Sequence, residues 1–338
     1  MSTSSATLRL PLLGGLSLLV LAATALALSR GSIAIDWLAL AGSGTDQTMQ
    51  ATALIELRLP RVLLALLIGA VLAQSGAVTQ ALFRNPLAEP GLIGVSAGAA
   101  LAAAIVYTRL GGLAAWQGLL LPVAAFGGGL LAAVTVLRLS QRDGVTRMTT
   151  MLLAGTAINA FVAAIVGLLS TSADDPGLRG FTLWMYGNLG RAGWQEIAVV
   201  APVLLLLLLW LPREAQALDA LLLGDAEAMH LGVPVERLKR RILIAVVLAT
   251  AAAVSLAGVI GFVGLIVPHA LRLVAGPGHR LLLPASALAG AALLVLADTA
   301  ARSIAAPAEW PVGALTSAIG APFFLFLLLR LRDRAGLT

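Results

Sequence analysis

Phe83-Arg84-Asn85-Pro86-Leu87-Ala88-Glu89-Pro90-Gly91-Leu92-Ile93-Gly94 is a polar break between two long apolar runs. Pro86 and Pro90 lack an amide donor and push the residue before each out of the helical region, while Gly91 and Gly94 accept backbone angles that other residues resist. The stretch ends one helix and cannot lie inside another. The runs that flank it are too long for an ordinary core helix, which places the break at a membrane surface.

Composition leads to the same class. The 338 residues are 59% hydrophobic and 11% charged, against roughly 25% charged in a soluble domain. The net charge of +6 comes from 22 Lys and Arg scattered over short loops, and aromatic residues make up only 5%; neither a basic stripe nor a stacking platform for nucleic acid arises. The lipid bilayer is the expected partner. With no cysteine, disulfides, thiolate metal sites and thiol nucleophiles are excluded. Residues 10–28 have the look of a secretory signal, but they are long enough to span, lack a small-residue cleavage site before Ser29-Arg30-Gly31 and precede many equal runs. They are read as a first permanent span.

Windows of about 20 apolar residues fall at 10–28, 60–82, 92–108, 118–137, 148–169, 196–211, 242–260, 262–274, 281–300 and 312–329. The expected fold is an all-α polytopic membrane protein, a single domain over residues 1–338 with ten transmembrane helices. The eighth window is too short to cross alone, which suggests backbone buried in protein or lining a cavity. With the N-terminus inside, 15 of the 22 basic residues lie in inner loops, so both termini and the 83–94 break are expected on the cytoplasmic face. Among the 35 glycines, Gly94 and Gly98, the run Gly127, Gly128 and Gly129, and the series Gly258, Gly261 and Gly264 suit close helix contact, the last also a hinge.

Two loops are long. The outer one, 170–194, holds Asp174-Asp175-Pro176-Gly177 and Trp184-Met185-Tyr186-Gly187 and reads as a short interfacial helix with aromatics at headgroup depth. The inner one, 212–241, sets Leu218, Leu221, Leu222, Leu223, Met229 and Leu231 among Asp219, Asp225, Glu227 and Glu236. That pattern suits docking into another protein's groove; a helix lying on lipid is the alternative, but its acids would sit poorly on an anionic leaflet.

Lys239 is the only lysine and Arg240 follows it, so a phosphate loop ending in Gly-Lys-Ser/Thr cannot exist. Any ATP and Mg belong to a partner chain, and the chain itself is not expected to be an enzyme or to hold a cofactor. His230, His269 and His279 make no metal box, and His269 is read as structural ahead of a ligand role. No nucleophile elbow or paired acid site appears. Asp298 lies near an outer span end, and Glu56 and Glu309 lie in or beside outer loops, so no ionisable relay for ion coupling runs through the spans. Neutral groups such as Gln74, Gln80, Thr156, Asn159 and Ser170 would line a path for a bulky ligand. A receptor or scaffold without transport is the rival from another class.

Arg58-Leu59-Pro60-Arg61, Gly69, Ser75-Gly76, Gln80, the run from Asn85 through Pro90-Gly91 to Ser96, Leu223-Gly224-Asp225, Leu231-Gly232-Val233, Gly261-Phe262-Val263-Gly264, Pro268-His269, Asp298 and Pro311-Val312-Gly313 together closely resemble the permease subunits of ATP-binding-cassette importers for ferric siderophores, heme and cobalamin. The resemblance implies a two-fold homodimer around a central path, two cytoplasmic ATPase subunits and a periplasmic or extracellular substrate-binding protein, in the inner membrane of a bacterium. It also implies ATPase coupling through Leu218, Leu223, Gly224, Asp225, Glu227, Leu231 and Gly232. A cytoplasmic gate would lie at Asn85 and Leu87, with a second constriction at Met148 and Thr149, where the residues differ from the family's small polar pair. Arg58, Arg61 and Arg302 match positions that dock the binding protein; interfacial anchoring is the other reading of Arg58 and Arg61. Arg84 before Asn85-Pro86, and Pro90-Gly91-Leu92-Ile93-Gly94, resemble heme permeases first, then cobalamin and siderophore ones.

Overall fold

The computed structural model describes residues 4–31, 45–110, 117–191, 193–304, 306 and 308–334. Helix α1 (Ser4–Ser29) is followed by α2 (Thr45–Thr52), a π-helical stretch (Ala53–Arg58) and α3 (Leu59–Leu82), which form one continuous rod. A 3-10 turn (Pro90–Ile93) leads to α4 (Val95–Arg109) and α5 (Gln117–Ser140). Strands β1 (Gln141–Arg142) and β2 (Val145–Thr146) precede α6 (Met148–Thr171), α7 (Asp175–Met185) and α8 (Trp194–Trp210). Then come α9 (Ala215–Leu221), α10 (Asp225–His230), α11 (Val235–Ala257), α12 (Val263–Ala275), α13 (His279–Ile304) and α14 (Val312–Arg334).

Among the described residues, seven helical segments are long and apolar enough to cross a membrane: Leu10–Ser29, Thr48–Leu82, Gly118–Ser140, Met148–Thr171, Trp194–Leu221, Val235–Ala257 and His279–Ile304. Three shorter apolar helices, Val95–Arg109, Val263–Ala275 and Val312–Phe326, occupy the remaining windows. In the most apolar stretch of Thr48–Leu82, 83% of the residues are buried, against only 11% in that of Leu10–Ser29. Thus α3 is the core of the bundle, packed against α13, α12 and α11, while α1 leaves most of its apolar surface exposed.

Small residues let α3 approach its neighbours. A Cβ at Gly69 would collide with the Gly290 carbonyl of α13, and one at Gly76 with Gly264 of α12. In the same way Gly98 of α4 meets Gly128 of α5, whereas Gly127 has nothing within 4 Å. Gly258 has φ +71 and lies against the Trp184 carbonyl, where a Cβ would not fit. These are backbone-to-backbone contacts, the usual means of holding helices together where lipid provides no hydrophobic drive.

Four expectations change. The second window begins well before residue 60, because the π turn carries helix from Thr45 into α3. The fold is not purely helical: Gln141 pairs with Thr146 and Arg142 with Val145, and Asp143 (φ 53) with Gly144 (φ 78) supplies the two positive angles of a type I′ turn. Loop 170–194 does form a helix, with Asp174 Oδ1 accepting from Gly177 N at 2.9 Å as N-cap. Yet Trp184 is 4% exposed, packed inside the bundle rather than turned outward as an interfacial aromatic; Tyr186 and Trp194 are the exposed aromatics of this loop. Finally, loop 212–241 is mostly helical, through a 3-10 turn (Leu211–Glu214), α9, α10 and the start of α11.

Arg302 of α13 donates to Ala27 O near the end of α1, and Arg84 pairs with Asp225. The break 83–94, the hairpin and 212–241 therefore share one end of the bundle, the break side. The ends of α1 and α13 share the far side.

Candidate functional site

At the break, Leu87 N donates to Asn85 Oδ1 at 2.9 Å and Asn85 N donates to Gln80 O at 3.1 Å. Asn85 thus ties the corner to the last turn of α3, and Arg84 before it takes φ 47, a left-handed angle unusual for its type. Pro86 and Leu87 face Leu265, Ile266 and His269 of α12 and Phe323 and Phe324 of α14. His269 is 8% exposed and neither ring nitrogen has a hydrogen-bond partner.

A cavity of about 220 Å³ lies between the break, α6, α11, the 258–262 connection and the start of α12, with Glu89, Ser96, Asn159 and Thr250 among its lining residues. The short α12 is what opens this space: its 13 residues rise about 20 Å, so the chain enters it deep in the bundle, where backbone lines a cavity. Asn159 Oδ1 and Thr250 Oγ1 lack partners, and burial raises the Glu89 pKa above the ordinary glutamate value. The other expected path groups are engaged elsewhere. Gln74 and Gln80 are 1% and 2% exposed; Gln80 Nε2 donates to Gly264 O and Leu265 O at 3.3 Å, and its Oε1 accepts from Arg272. Thr156 and Ser170 donate to Leu152 O and Val166 O within their own helix.

Met148 and Thr149 begin α6 directly after the hairpin, the first half-buried and the second exposed. About two turns on, Gly155 sits against the Leu92 carbonyl, so α6 rests on the 3-10 turn of the break.

In loop 212–241 the apolar residues divide. Leu218 and Leu221 are fully buried against the core, which corrects the reading of Leu218 as a docking residue: its side of α9 is covered by this chain. Leu223, Met229 and Leu231 are 66%, 59% and 64% exposed. Glu227 and Gly232 are exposed beside them, and Gly224 and Gly232 take φ 128 and 83. Lys239 is 3% exposed; its Nζ lies 2.6 Å from Asp225 Oδ2 and 3.2 Å from Glu236 Oε1.

On the far side the three arginines expected to point outward are folded in, at 6% exposed for Arg58, 8% for Arg61 and 7% for Arg302. Arg58 Nη1 donates to Leu28 O at 2.7 Å and Arg302 Nη2 to Ala27 O at 2.9 Å, filling the carbonyls left open at the end of α1. Arg61 Nη2 lies 2.9 Å from Asp298 Oδ1 and its Nη1 2.9 Å from Glu309 Oε2. Arg302 Nε is 3.3 Å from Asp298 Oδ2, a charge contact without hydrogen-bond alignment. The exposed arginines of the far side are Arg30, Arg109, Arg179 and Arg191, none of them among the docking positions that the resemblance implies, although all four stand in or beside outer loops. Arg109 bonds Ser172 and Arg191 bonds Tyr107. No group of three or more His, Asp or Glu suited to a metal occurs among the described residues.

The FecCD transport family matches residues 18–330. The hemin transport system permease protein HmuU of Yersinia pestis is 44% identical over 306 residues, 90% of this chain and 91% of that one. The cobalamin import system permease protein BtuC of Halobacterium salinarum is 46% identical, covering 82% of this chain and 73% of its own; the vitamin B12 import permease of Salmonella paratyphi A is 42% identical, covering 93% and 94%. A solved structure described as an inward-facing metal-chelate type ABC transporter superposes with a TM-score of 0.82 at 31% identity, over 94% of this chain and 98% of that one.

Proposed function

Since the chain belongs to the FecCD transport family, we propose that it imports heme, as a two-fold homodimer in which each copy crosses a bacterial inner membrane ten times. It is a multi-pass permease subunit of an ABC importer and not an enzyme; ATP is hydrolysed by a separate subunit. The observation that carries the reading is the match to the hemin permease over nine tenths of both chains, joined to the Arg84–Gly94 sequence that resembles heme permeases. Cobalamin is the alternative cargo, from the similar identity to cobalamin permeases.

In this reading the break side is cytoplasmic, because it holds most of the basic residues, and both termini lie there. The ATPase subunits, with their ATP and Mg, dock on Leu223, Gly224, Asp225, Glu227, Leu231 and Gly232, with Leu218 as internal backing. Asn85 and Leu87 form one part of the gate and Met148 and Thr149 the other. A substrate-binding protein docks on the far side. Arg109, Arg179 and Arg191 are accessible there, and Arg61 is reachable if a partner carboxylate replaces Glu309, whose side chain is 46% exposed. Arg58 and Arg302 would hold α1 in place beneath that contact.

Reconstitution with the ATPase and binding protein in proteoliposomes tests the function. ATP-dependent accumulation of hemin inside the vesicles is expected, with no accumulation of cyanocobalamin. Uptake of cyanocobalamin alone would assign the cargo to the alternative, and ligand binding with no accumulation of either would support a receptor.

A further inference from the structure

We propose that Lys239, with Asp225, Glu236 and Arg84, is a positioning element that makes the docking face, the 83–94 break and the hairpin ahead of α6 move as one body. The proposal rests on the reading of residues 223–232 as the ATPase-docking face.

Lys239 is the chain's only lysine, and its side chain is 4% exposed. A desolvated ammonium needs compensation by charge and hydrogen bonds, and here two carboxylates supply it. Each of those carboxylates uses its second oxygen on a different connection. Asp225 Oδ2 meets Lys239 at 2.6 Å, while its Oδ1 lies 3.5 Å from Arg84 Nη2, the residue next to Asn85. Glu236 Oε1 meets Lys239 at 3.2 Å, and its Oε2 accepts from Thr146 N at 3.0 Å, the last residue of the hairpin and two before Met148. The line Arg84, Asp225, Lys239, Glu236, Thr146 therefore runs from the break, through α10 and α11, to the start of α6. Asp225 also opens α10, the helix that carries the exposed Met229, just after the exposed Leu223. A shift of the docking face acts on both ends of this line at once. The Arg84–Asp225 end is solvent-accessible, with side chains 49% and 39% exposed, so it adds little to folding stability. Its removal separates transmission from folding.

The test uses the permease assembled with its ATPase and binding protein in proteoliposomes, reading molecules accumulated per ATP hydrolysed for whichever of hemin and cyanocobalamin the unaltered protein takes up. Arg84→Gln is expected to retain the ATPase on co-purification and to hydrolyse ATP at a rate within about twofold, while the transport ratio falls about tenfold; Arg84→Lys restores most of it. Lys239→Met is expected to act in the same direction and Lys239→Arg to recover part of the ratio, with the denaturation midpoint followed to separate misfolding. An unchanged ratio in both Arg84→Gln and Glu236→Gln overturns the proposal, as does a proportional fall of transport and hydrolysis. Leu223→Asp separates the two ideas. If it keeps the ATPase bound, the docking reading fails and the proposal with it; if it releases the ATPase while Arg84→Gln and Glu236→Gln both keep the ratio, only the proposal fails.

Discussion

Asp298 is 2% exposed and accepts from Arg61 through both Nε and Nη2, with Arg302 alongside. Removing one partner of a buried ion pair leaves an uncompensated charge and costs about 3–5 kcal/mol. Asp298→Asn is therefore expected to lower the denaturation midpoint of the purified protein far more than Glu309→Gln, whose half-exposed pair with Arg61 is worth about 0–1 kcal/mol; the reverse order in a thermal melt would refute this account of the far side. Glu89 gives a pH dependence. Burial raises its folded pKa above the unfolded value, so its contribution to stability is complete below the ordinary glutamate range and is lost as pH rises through the folded value. Melts of the unaltered protein between about pH 4 and about pH 8 should fall more steeply with rising pH than those of Glu89→Gln, and parallel curves would sink the assignment. The presence of Arg58, Arg61 and Arg302 at span ends was legible in the sequence. Their partners were not: Asp298 reaches Arg61 across 237 residues of chain, and Ala27 reaches Arg302 across 275.

Helices of this bundle are set by where glycine lets backbones touch. Gly76→Ala puts a methyl into the Gly264 backbone, which cannot yield as a flexible side chain does, and a loss of at least about 1–3 kcal/mol is expected. Gly127→Ala has open space and should be neutral or stabilising, since alanine is the better helix former by about 1 kcal/mol. Equal shifts in the two melts would show that α3 and α12 do not depend on that contact. The apolar windows and the short α12 were legible because hydropathy and length are properties of contiguous residues. The hairpin escaped notice although Asp143-Gly144 is its signal, because polar Gln141 and Arg142 stand where apolar alternation would have announced a strand. In the loop after α8, amphipathicity reveals two faces without saying which one this chain covers, and so the pattern alone does not distinguish Leu218 from the exposed Leu223 and Leu231.

At the scale of the molecule the topology is open to a direct check, because the chain has no cysteine of its own. Leu223→Cys and Arg179→Cys, both at exposed positions, are expected to react with an impermeant maleimide from opposite sides in membrane vesicles, Leu223→Cys from the cytoplasmic side. Labelling of both from one side would overturn the proposed orientation. Taken alone, the sequence determined that the chain lives in a membrane, that residues 83–94 break a helix and that no phosphate loop is present. Each follows from local composition, or from the sterics of proline and glycine against their immediate neighbours. Only the tertiary structure decided which charges are buried, which loop residues stay exposed and how Arg84, Thr146 and Lys239 come together, because burial and pairing are set by distant segments that packing brings within a few ångströms of one another.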